Sequence, residues 1–244
     1  MSALPQDPGP SLHPAVAGRE RSLAALADEV RRLVELTVTN TAPPDVVAAI
    51  AERLRAAADA LAAHVPDPPP PRFVVPSGPA APSPGVPGAA AGGVPATDAG
   101  GMQRSMPYDP VVGRFNPLAL PLALHAEPPR MVATARFSTA YEGAPGCVHG
   151  AVLAGAFDLV LTGANWLAGL AGPTVRLTLR FRRPTLLHAE CRFEGEVTRV
   201  DERRVHSVGH VEQDGVVTVE ATGEFAIFDH AEVATLRHRR GSRR

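Results

Sequence analysis

Two hydrophobic periods divide this chain. Leu23, Leu26, Val30 and Leu33 recur at intervals of three and four, and after Pro43-Pro44 a second stripe runs through Val47, Ile50, Leu54 and Leu61. Both are helical spacings, which predicts an α-hairpin over residues 19–65, with Asp45 near the start of the second helix. Arg and Glu on the outer faces imply a pair that packs on the main domain or on another subunit. From 66 to 105 the chain is Pro, Ala and Gly without periodic hydrophobicity, a composition that predicts a linker. PYDPVVGRFNPLALPLAL then mixes turn formers with short apolar pieces and predicts an irregular covering segment.

Met131–Ala140 predicts a first strand. Beyond His149-Gly150 lies a run of about twenty residues with one ionisable side chain, Asp158, in which Leu153, Phe157, Val160, Ala164 and Leu167 mark a buried helix. The period then becomes two. Val175, Leu177, Leu179 and Phe181 alternate with Arg and Thr, Cys191, Phe193, Gly195 and Val197 alternate with Arg, Glu and Thr, and Asp214-Gly215 joins two further strands as a tight turn. The order is strand, long helix, four strands. This is an α+β domain over 106–230, a central helix wrapped by five mostly antiparallel strands, with the α-hairpin as an N-terminal extension.

Within the helix, Asp158, Thr162 and Asn165 fall on one narrow polar line, continued toward the N-terminus by Ala151, Ala154 and Gly155. An unpaired buried carboxylate is costly, so Asp158 beside small residues marks a ligand site more readily than a structural ion pair. A membrane span fits poorly, given the central Asp, the glycines and the strands that follow at once.

Composition narrows the classes. Net charge is -1 and pI about 6.8, so no global field draws in nucleic acid or an anionic membrane. All 24 basic residues are Arg, a codon-usage hint toward a GC-rich bacterium. Residues 1–18 read as a disordered N-terminus and 231–244 as a solvated basic tail. Two cysteines, Cys147 and Cys191, make neither a disulfide framework nor a metal cluster. His206 and His210 share a strand face without a carboxylate, so no metal site is expected. Without a secretory h-region, a cytoplasmic location is the expectation.

The element order, YEGAPGCVHGA, Asp158 nine residues after His149, Thr174 ahead of the alternating strand and FRRPTLL at its end resemble the hotdog-fold thioesterase superfamily, in particular its PaaI-like acyl-CoA thioesterases. The resemblance covers about 107–229 and implies a thioesterase acting on an acyl-CoA or an acyl-carrier protein. It implies that the Gly150 N–H polarises the thioester carbonyl, that Asp158 acts as base or nucleophile, and that Thr174 helps hold water or the carboxylate. His149, Glu142, Gly146 and Asn165 are further site candidates. Arg182 and Arg183 either meet coenzyme A phosphates or form a solvated sheet face. Ala151 stands where the family's second Gly is usual, and Gly143 where some members carry Asn.

Gly150, at a helix N-terminus, suits an oxyanion. His149 is read chiefly as a loop-ordering residue bonded to backbone near Gly146. Asp158 lies eight residues past Gly150, roughly 12 Å along the helix at about 1.5 Å per residue. The two cannot serve one carbonyl, so a two-fold dimer is the minimal unit and a tetramer is compatible. No cofactor is expected beyond the coenzyme A of the substrate. The rival readings are a non-catalytic acyl-binding or oligomerising protein and a hotdog hydratase.

Overall fold

A computed structural model describes residues 16–67, 69, 102–104, 106–170 and 172–227. The readings of the extreme N-terminus, most of the linker and the basic tail therefore lie outside the described residues. Two helices come first, α1 (Glu20–Thr39) and α2 (Pro44–Ala62), separated by the extended Asn40 and Pro43. The core follows: β1 (Ala123–Glu127), β2 (Arg130–Arg136), a 3-10 turn (Thr139–Tyr141), α3 (Gly150–Leu167), β3 (Thr174–Phe181), β4 (Glu190–Val200), β5 (Arg204–Gln213) and β6 (Val216–Ala226).

The six strands form one antiparallel sheet in the order β1-β2-β4-β5-β6-β3. This is one strand more than the periodicity indicates. The added strand, β1, is short and bounded by Pro121 and Pro128, and buried Leu122, Ala123 and Leu124 run consecutively, so it lacks the alternation that identifies a strand. The first predicted strand also ends early, at Arg136, where the chain turns into the 3-10 segment. At the other end the Asp214-Gly215 turn forms as its residues dictate, with φ of 50° and 75°.

α3 lies on the inner face of the sheet. Phe157 meets Phe193 edge-on at 5.3 Å, and Phe193 meets Phe137 at 6.3 Å, giving a fully buried aromatic row. Truncating Phe157 to Ala would cost about 3–5 kcal/mol. Glycines let the helix sit close. A Cβ on Gly195, Gly209 or Gly223 would come within 3.0–3.1 Å of Leu161 methyls.

β3 departs from its pattern. Its apolar face is expected to be core, but Val175 and Phe181 are 50% and 56% exposed and Leu177 and Leu179 half-buried, because β3 is the edge strand and overhangs the helix. α1 is tied to the domain through its inner face, Ala27, Arg31 and Glu35. α2 carries no buried residue.

Candidate active site

The site begins in the loop between the 3-10 turn and α3. Tyr141 O accepts His149 N at 2.8 Å and Gly143 N donates to Cys147 O at 2.9 Å, so residues 141–149 close into a tight hairpin. Its tip is fixed by Glu142, whose Oε1 accepts Gly146 N at 2.7 Å, with Gly146 in the left-handed region at φ 73°. Any Cβ on Gly143 would lie 2.8 Å from His149 Cα. A second loop shelves this one. Thr185 O accepts Val148 N, Leu187 N donates to Gly146 O, and Gln213 holds both the N–H and the C=O of Leu186 through its amide.

His149 is the N-cap of α3, its Nδ1 accepting Ala151 N at 3.0 Å. It therefore orders the helix start, and the loop-tip role expected of it belongs to Glu142. Gly150 opens the helix. The Phe181 ring covers it closely enough that a Cβ there would lie 3.2 Å from Phe181 Cζ. Spacing alone assigns Phe181 to the core, and its place against Gly150 follows only from the edge position of β3.

Asp158 is half-buried on the open face of α3, where its Oδ1 accepts Thr174 Oγ1 at 2.5 Å. Ala151, Ala154, Gly155 and Thr162 share that face, and Thr162 is bonded to its own helix, Oγ1 to Asp158 O at 2.7 Å. Asn165, expected to continue the line into the ligand site, does not. It is 2% exposed, and its Oδ1 accepts Ser207 Oγ at 2.6 Å, because β5 covers the C-terminal end of the same helical stripe.

The arginines also part company. Arg182 donates through Nε and Nη2 to Glu220 at 2.9 and 2.7 Å, a surface pair on the sheet. Arg183 is exposed beside it, its backbone N–H donating to Thr218 O. Cys147 is half-buried in the loop, and Cys191 lies in the core, where burial pushes its thiol up to about 11 against a hydrogen bond from Gln213. His206 is paired with Asp201 at 2.9 Å.

One chain thus brings Asp158 and Thr174 together. It sets Gly150 at the far end of the same helix, about 12 Å away by helical rise. The structure also joins residues that no sequence signal pairs, such as Glu142 with Gly146 and Tyr141 with His149, because these contacts depend on the path of the loop.

Residues 145–220 match the family model described as the thioesterase superfamily. Among solved structures, one described as a thioesterase superfamily protein is 27% identical, with a TM-score of 0.66 over 89% of this chain and 97% of that one. That match reaches well beyond the six-stranded core. The PaaI protein from the phenylacetic acid degradation operon of E. coli is 15% identical (TM-score 0.43, 45% of this chain, 81% of that one). A Streptococcus pneumoniae TIGR4 hypothetical thioesterase solved with coenzyme A is 17% identical (TM-score 0.41, 43% of this chain, 87% of that one). No curated protein matches the chain in sequence. The six-stranded core with its enclosed helix has the hotdog fold, and its segment from the site loop into β6 is similar to the thioesterase superfamily.

Proposed function

We propose that this protein hydrolyses an acyl thioester, with an acyl-CoA as the substrate, releasing a carboxylic acid and a thiol. The observation that carries this reading is Asp158, a half-buried carboxylate on an otherwise uncharged open helix face, held by Thr174 Oγ1 at 2.5 Å. With one oxygen engaged by Thr174, the other is left to take a proton from water or to attack the carbonyl carbon. The Gly150 N–H, at the positive end of α3, donates to the developing oxyanion. A thiolate leaves readily, so neither a strong acid nor a cofactor is required beyond the coenzyme A that the substrate carries.

The separation of Asp158 and Gly150 along one helix makes each site composite, with Gly150 from one protomer and Asp158 from its partner. The half-buried face of α3 that carries Asp158 and the exposed Val175 and Phe181 on the edge strand β3 support that pairing, since Val175 and Phe181 are apolar surface left uncovered in the single chain. Exposed Arg183 is the candidate for the phosphates of coenzyme A.

A panel of acyl-CoA esters, followed by release of free thiol, tests the activity. Asp158→Asn should keep the fold and lower turnover by about two orders of magnitude or more. Near-normal turnover in a folded Asp158→Asn protein would sink the mechanism. Absence of thiol release by the folded wild-type chain across the panel would favour the second reading, a non-catalytic partner-binding protein, whose supporting feature is the uncovered apolar stripe of α2.

A further inference from the structure

Arg31 and Glu35 lie one helical turn apart on the face of α1 that meets the domain. Arg31 Nη2 donates to the backbone oxygens of Gly113, Arg114 and Asn116 at 3.4, 3.0 and 2.6 Å. Arg114 in turn pairs with Asp28 through two contacts of 2.8 Å. These contacts fix the rotation and height of α1, and so place the next turn. There Glu35 Oε2 accepts Ser138 Oγ and, at 3.4 Å, Ala140 N.

The position of that carboxylate matters. Ser138 is the N-cap of the 3-10 turn Thr139–Tyr141 and makes no side-chain cap bond to it, so Glu35, reaching across from another element, fills that role. The turn in turn sets Tyr141, whose carbonyl accepts the N–H of His149, the residue that caps α3 and precedes Gly150. His188 steadies the turn from the other side, its Nε2 lying 3.3 Å from Thr139 Oγ1. A continuous set of hydrogen bonds therefore runs from Glu35 through Ser138 and Ala140 to Tyr141 and His149.

We infer that Glu35 of α1 is a positioning residue for the oxyanion donor, so that the N-terminal helix, outside the hotdog core, sets the geometry of the site. The inference rests on the reading of the Gly150 N–H as that donor. Glu35 touches no reacting atom and acts through the turn. Its loss would move Gly150 relative to the thioester oxygen and weaken a bond that matters most in the transition state.

The test uses the full chain. Glu35→Ala should lower kcat by about tenfold with KM within twofold, since misplacing a donor costs transition-state stabilisation more than ground-state binding. Glu35→Gln keeps an acceptor oxygen and should lose less. Ser138→Ala should resemble Glu35→Ala, and the double variant should be no worse than either single one, because all interrupt the same connection. Amide exchange read in parallel should be faster across residues 141–151 in Glu35→Ala and unchanged in β4 and β5. Wild-type kcat and unaltered exchange in Glu35→Ala overturn the inference, as does a loss that appears in KM alone. If the wild-type chain hydrolyses no thioester, the proposed function fails, and the exchange pattern by itself decides whether Glu35 holds the loop.

Discussion

A short hydrogen bond from a hydroxyl to a carboxylate does two things for a catalytic Asp: it fixes the rotamer and it occupies one oxygen. Thr174 has this relation to Asp158. Thr174→Ala should therefore lower kcat by about tenfold, and Thr174→Ser, which restores the hydroxyl, should recover most of it. Steady-state kinetics on the three proteins check this, and equal rates for Ala and Thr would remove Thr174 from the mechanism. Asn165 teaches the opposite lesson. Helical spacing assigns it to the same line as Asp158, and the spacing is right, but Ser207 on β5 covers that end of the stripe. Periodicity says which residues share a direction and is silent on what lies in that direction.

The elements with strong local signals were legible from sequence: α3 from its apolar run, and β5 with β6 from alternation and the Asp214-Gly215 turn. β1 was not, since five residues between prolines show no period. The exposure of β3 was not, because strand order is a long-range property. In the site, Asp158, Gly150 and Thr174 were marked by type and spacing, whereas the loop bonds of Glu142 and Tyr141 needed the folded path. The seat of α1 was equally hidden, for nothing in a heptad-like stripe foretells an Arg31 that meets three carbonyls. That seat has a pH signature. Partial burial disfavours the charged form of Asp28, but Arg114 and Arg31 outweigh it, and the carboxyl sits below its ordinary value of 3.8. A lowered Asp contributes stability in full above the ordinary value and loses it as pH falls through the lowered one. Amide protection of α1, corrected for intrinsic exchange, should therefore fall below pH 3.8 ahead of the core. Asp28→Asn should show reduced protection at neutral pH and no such acid step. Salt should weaken the effect, since Asp28 is half exposed.

For the whole molecule, the length of α3 is decisive. Gly150 and Asp158 sit about 12 Å apart on one rigid rod, so no rearrangement within one chain brings them to the same carbonyl. Two copies related by a two-fold axis, with their α3 open faces and β3 edges together, would meet that need and cover the exposed Val175 and Phe181. Subunit mixing tests this directly. A Gly150→Pro chain lacks the donor N–H, and an Asp158→Asn chain lacks the carboxylate, so each alone should be nearly inactive once melting curves show that both fold. In a mixed dimer both lesions fall in one site and the other is intact. Activity should return toward half the wild-type value per mixed dimer. If mixed dimers, confirmed by mass, remain as inactive as their parents, the site is not shared between subunits and the proposed mechanism is wrong.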